Sequence, residues 1–202
     1  MSESVANMVS SISDLAGQSL TELSEAERAD TYVVSFFVYD EDDDPRCPTL
    51  TIGTNTEAQV EAAIKRQHDA TRTNPWSTPS DEAEARWNYA FWLQNALGVF
   101  PSGPTAVEVR DRWIREAGLW FEDPDDFDEW ELLGQPITAG FASACVTAAQ
   151  RVHESGQVAD LFGRAVPIVI HELEYYDQIA VQTVAANPAG LAQEFAQWVA
   201  AS

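Results

Sequence analysis

Hydrophobic positions recur at loose helical intervals through the first thirty residues, where Val5, Met8, Ile12, Leu15 and Leu20 are separated by polar side chains. This spacing predicts helix over 1–30. Within it, Ser24-Glu25-Ala26-Glu27 has the capping-box pattern, in which a serine and a glutamate three residues on satisfy each other's backbone N–H groups. The pattern then changes. Tyr32-Val33-Val34-Ser35-Phe36-Phe37-Val38-Tyr39 is rich in aromatic and β-branched residues and apolar on both faces, which predicts an interior strand covered from two sides. The acids Asp40 to Asp44, followed by Pro45, predict a turn, and Thr49-Leu50-Thr51-Ile52 the returning strand of a hairpin over 31–53.

Helical signals dominate 54–156. Thr54-Asn55-Thr56-Glu57 repeats the capping-box spacing and predicts a helix through His68, followed by a loop over 71–80. A second helix is expected from Asp81 to Leu97, stopping at Gly98. A third opens on Thr105-Ala106-Val107-Glu108, uses Val109, Trp113 and Ala117, and stops at Gly118. Residues 122–131 hold seven acids and a proline and predict a surface loop or short exposed helix. Apolar spacing resumes from Thr138 to Ser155. The run Val166-Pro167-Ile168-Val169-Ile170 predicts a short buried strand, and Tyr176 to Ala186 a helix. Asn187-Pro188 reads as a cap for a last helix whose face is Leu191, Phe195, Trp198 and Val199. The sum is one α+β domain over 1–202, a small mixed sheet surrounded by five or more helices, with 166–202 supplying its last strand and C-terminal helices.

Charge changes the picture more than composition does. Among 202 residues, 11 Lys and Arg stand against 33 Asp and Glu, a formal net charge of −22. That surface repels nucleic-acid phosphate and anionic lipid, so nucleic-acid and membrane partners are not expected, and a basic protein partner is. The same acidity would also suit a fold adapted to high salt, in which Lys65 is the lone lysine. No unbroken apolar run reaches membrane-spanning length and no secretory signal is expected. With Cys47 and Cys145 far apart and no CxxC, a reduced cytoplasmic protein is expected.

No local motif assigns chemistry. An EF-hand loop starting at Asp40 would need glycine where Pro45 stands and glutamate where Thr51 stands, and one starting at Asp123 would need glutamate at Gly134. His68, His153 and His171 form no HExxH pair, and neither a G-x-S-x-G elbow nor a phosphate-binding glycine loop occurs. Metal and cofactor are therefore not expected, and no catalytic residue is assigned. The partner-binding candidates are Asp42, Asp43, Asp44, Asp123, Asp125, Asp126 and Glu129. An alternative is a ligand pocket or hydrolase-like site built from Trp87, Trp92, His171, Glu172, Tyr175 and Tyr176, since polar groups that follow a buried strand are well placed for acid–base work.

The string His171-Glu172-Leu173-Glu174-Tyr175-Tyr176-Asp177 after Val166–Ile170, with Ala185-Ala186-Asn187-Pro188, resembles the C-terminal end of an uncharacterised bacterial family. Asn55-Thr56-Glu57 and Arg86-Trp87 fit the same pattern. That family is similar in size and setting to immunity proteins of polymorphic toxin systems. The resemblance implies a stand-alone cytoplasmic domain that binds and neutralises a toxin such as a basic nuclease, and it carries no catalytic residues across.

Overall fold

The computed structural model describes residues 1–69, 78–123, 127–173 and 177–201. Most of the predicted 71–80 loop, together with Asp125, Asp126, Tyr175 and Tyr176, lies outside the described residues. In chain order the elements are α1 (Glu3–Thr21), α2 (Glu25–Asp30), β1 (Thr31–Asp40), β2 (Pro48–Thr56), α3 (Glu57–Asp69) and α4 (Glu82–Trp87). There follow β3 (Gly98–Phe100), α5 (Gly103–Glu116), α6 (Phe127–Glu154), α7 (Gln157–Phe162), β4 (Ile168–His171), α8 (Asp177–Ala186) and α9 (Gln193–Ala201).

The sheet runs β3-β2-β1-β4, so β1 is interior, as its two apolar faces require. β2 pairs antiparallel with β1 through to Asp40–Pro48, completing the hairpin. β4 pairs parallel to β1, from Val34–Ile168 to Phe37–His171. One face carries Val34, Phe36, Val38, Leu50, Ile52, Ile168 and Ile170 against Met8, Ile12 and Leu20 of α1, Trp113 of α5 and Phe141 of α6. The other presents Val33 and Val169 to Val60 of α3, Trp87 of α4, Ile179 of α8 and Phe195 of α9. The result is an α+β domain with a mixed sheet between two helical layers.

Several boundaries differ from the expected ones. β2 continues through Thr56, so Thr54 and Asn55 are strand residues and the helix is capped instead by Thr56, whose Oγ1 accepts from Gln59 N at 3.2 Å. α5 opens at Gly103 behind Ser102, placing Thr105 inside the helix rather than at its cap. The helix expected over 81–97 ends at Trp87. Asn88 Oδ1 then accepts from Ala90 N at 3.0 Å, turning the chain, and Asn95 Oδ1 accepts from Thr54 N at 2.9 Å. That bond draws the segment alongside β2, so Gly98 opens β3 instead of closing a helix.

α6 begins at Phe127 rather than Thr138. Its first-turn acids, Asp128 and Glu129, complement the helix dipole, and Pro136 is accommodated inside the helix. Among the described residues this is one helix long and apolar enough to cross a membrane, and it buries Phe141, Cys145, Ala148 and Val152 in the core. Asn187 does not open the last helix, which begins at Gln193. The Asn187 side chain lies along β4, accepting from Ile168 N and donating to Ile168 O.

Candidate functional site

Parallel strands that end together leave a crevice beyond their carboxyl ends, where helices no longer cover the sheet. Here the strands end unevenly. β4 stops opposite Phe37, and β1 runs on through Val38, Tyr39 and Asp40. A cleft of about 570 Å³ occupies this end, lined by Phe37, Val38, Tyr39, Asp40, Asp43, Trp130, Thr138, Glu172 and Leu173.

Its acidic wall is built by the 40–44 turn. Asp42 and Asp43 take left-handed backbone conformations, both at φ 57°, and are exposed. Asp44 does something else. It grips the Arg46 guanidinium, with Nη2–Oδ2 at 2.7 Å, while Arg46 Nη1 donates to the carbonyls of Phe121 and Glu122 at 3.0 and 3.1 Å. The guanidinium also lies over the Phe121 ring. Through Arg46, the two acidic stretches seen in the sequence meet at one place. α6 supplies the opposite wall, and Gly134 allows it close to the turn, because a Cβ there would stand 3.3 Å from Pro45.

Asp40 is the least comfortable group in the cleft. Thr138 Oγ1 donates to its Oδ2 at 3.3 Å, and Oδ1 is buried with no hydrogen-bond partner among the described residues. Burial pushes the carboxyl up to about 6, Thr138 opposes this, and the charges of Glu172, Asp44 and Asp43 add to it. Trp130 and Leu173 are exposed at the rim.

The candidate residues thus divide. Asp43 and Glu172 line the cleft, and Asp42 stands exposed beside it. Asp123 and Glu129 are exposed on the segment joined to the turn by Arg46 and on α6. Asp44 is engaged by Arg46. Trp87 and Trp92 belong to the core on the far face of the sheet and do not line the cleft. His171 is fully buried. Its Nδ1 sits 3.1 Å from the Glu172 carbonyl, which only accepts, so Nδ1 carries the proton and Nε2 accepts from Ser35 Oγ at 2.8 Å. Phe37, Tyr89 and Trp92 surround the ring, and burial lowers its pKa to about 4. A hydroxyl hydrogen-bonded to an oriented imidazole has the layout of an activated nucleophile. Ser35 is buried too, so the pair is sealed into the core and locks β1 to β4.

Sequence reasoning missed Tyr39, Trp130, Thr138 and Leu173 as cleft residues and left Asp40 among undifferentiated acids. Trp130 did carry a signal, as one of two aromatics, with Phe127, in an acidic stretch. Thr138 carried none, since only tertiary packing brings it to Asp40.

A second cleft, of about 600 Å³, lies between α4 and α9, but its acids are committed to capping. Asp81 accepts from Glu84 N at 2.8 Å, and Glu84 from Ser80 N at 2.6 Å. Among the described residues no three His, Cys, Asp or Glu side chains converge as metal ligands would. No protein-family model, curated protein or solved structure matches the chain.

Proposed function

We propose that the chain is a non-enzymatic binding protein of the immunity or inhibitor type, and that it neutralises a basic protein partner by seating a cationic side chain in the cleft beyond β1 and β4. The observation that carries this is Asp40 Oδ1, a buried carboxylate oxygen with no donor among the described residues, in a cleft also lined by Asp43 and Glu172. A buried unsatisfied acceptor costs about 1–3 kcal/mol, and a guanidinium or ammonium supplies the missing donor together with the missing charge. Exposed Trp130 offers a flat ring on which a guanidinium or an apolar side chain can rest. The net charge of −22 attracts such a partner from a distance and sets the association rate more than the lifetime.

Titration with the flexible peptide Gly-Arg-Gly-Arg-Gly, followed by amide NMR shifts, tests the reading. Shifts concentrated on 38–43, Trp130 and 172–173, and lost in Asp40→Asn/Glu172→Gln, support it. Shifts spread evenly over the acidic surface, or none at low salt, overturn it.

A further inference from the structure

The cleft has a backbone as well as a charge. Val34 N–H points toward β4, donating to Pro167 O at 2.9 Å. Strand geometry alternates with period two, so Val38 and Asp40 present their backbone groups to the same side. Pairing with β4 ends at Phe37–His171. Among the described residues, no backbone partner stands opposite the Val38 carbonyl or the Asp40 N–H, and both residues line the cleft.

The outer edge of β4 is treated very differently. Thr183 Oγ1 pairs with Ile170 N and O, both at 3.1 Å, and Asn187 does the same for Ile168. Side chains there replace a missing strand and close the edge. The flank of β1 past His171 is instead bordered by Asp40, Asp43 and Glu172, with Trp130 and Leu173 exposed beside it. Three strand residues span roughly 10 Å, room for a short extended segment.

We infer that an extended, cationic segment of a protein partner adds to the sheet along Val38–Asp40, taking the place a longer β4 would fill. Main-chain bonds to Val38 O and Asp40 N hold the segment, and its Arg or Lys side chains meet Asp40, Asp43 and Glu172. Such strand addition draws affinity from main-chain bonds and specificity from alternate side chains. The inference rests on the cationic-partner reading and adds the conformation in which that partner binds.

The experiment compares two peptides of equal charge, acetyl-Val-Arg-Val-Arg-Val-amide and the same sequence with every backbone amide nitrogen methylated, by calorimetry and by amide exchange at Asp40. The unmodified peptide is expected to bind at least tenfold more tightly and to slow exchange of the Asp40 N–H. Equal binding of both, with Asp40 exchange unchanged, overturns strand addition while leaving the cationic-partner reading in place. Binding of neither peptide at low salt overturns both.

Discussion

Asn187 holds Ile168 as a neighbouring strand would, accepting from its N–H at 2.8 Å and donating to its carbonyl at 2.7 Å. The same amide donates to Thr183 O at 2.7 Å, and His153 Nε2 lies 3.0 Å from its oxygen, so the side chain is fixed from both ends. Asn187→Leu leaves two backbone groups of β4 without partners, each costing about 1–3 kcal/mol when buried. A loss of roughly 2–4 kcal/mol is expected in urea unfolding. A loss below about 0.5 kcal/mol, the range of an ordinary surface substitution, would show that the amide is not closing the edge.

Much of this fold was legible from residue pattern. β1 announced itself through eight residues apolar on both faces, β4 through a short apolar run after Gly163, and the Ser24–Glu27 capping box forms as its spacing requires, Ser24 N donating to Glu27 at 2.8 Å. Two failures fell where a polar side chain serves a distant partner. Asn187 before Pro188 has the look of a helix cap, and nothing local says that it reaches β4. Thr54 and Asn95 likewise bond across 41 residues to place β3. The cleft was half visible, because acids show in a sequence and an unequal pair of strand ends does not.

Asp40 and His171 titrate in opposite senses, which separates them. Asp40 is raised to about 6 from an ordinary carboxylate value, so the native state holds its proton more tightly than the unfolded chain. Its contribution favours folding fully below pH ~4 and is lost as the pH rises toward 6. Asp40→Asn should therefore raise the melting temperature at pH 7 and give no gain at pH 4. A gain of equal size at both values would remove burial of charge as the cause.

His171 is lowered to about 4, so its neutral form is the one the core accepts. Stability is complete above the unfolded value near 6.5 and falls as the pH drops toward 4. Protonation in the unfolded chain alone is worth roughly 3 kcal/mol across that window. His171→Phe keeps a ring between Phe37, Tyr89 and Trp92 but cannot accept from Ser35, so it should destabilise at pH 7. It should also flatten the loss between pH 6.5 and 4 relative to wild type. An unchanged slope would place the proton uptake on another group.

Gly53 tests the placement of the chain beside β2. A Cβ there would lie 2.6 Å from the Asn95 carbonyl oxygen, and this is backbone that cannot swing aside as a side chain can. Gly53→Ala must push the 92–97 segment outward and weaken the bond from Thr54 N to Asn95. A loss of about 1–3 kcal/mol is expected, the usual range for overpacking. Crystallography of the variant should show Asn95 displaced from Thr54, and an undisplaced Asn95 with full stability would contradict the contact.

The acidic turn offers a test of steering that leaves its structure intact. Asp44 is unsuitable, because removing its charge releases Arg46 from the turn. Asp42 and Asp43 stand exposed in the left-handed region, which asparagine tolerates well, so Asp42→Asn/Asp43→Asn preserves the backbone while removing two charges. If these acids guide a cationic segment toward the cleft, association of the unmodified valine–arginine peptide should slow a few-fold near ~0.01 M salt, where charges act over roughly 30 Å. Near ~1 M salt that reach shrinks to about 3 Å and the two proteins should associate alike. Stopped-flow mixing at both ionic strengths gives the comparison. Identical rates at low salt would mean that the turn only solvates the end of the sheet, with attraction arising elsewhere on the surface.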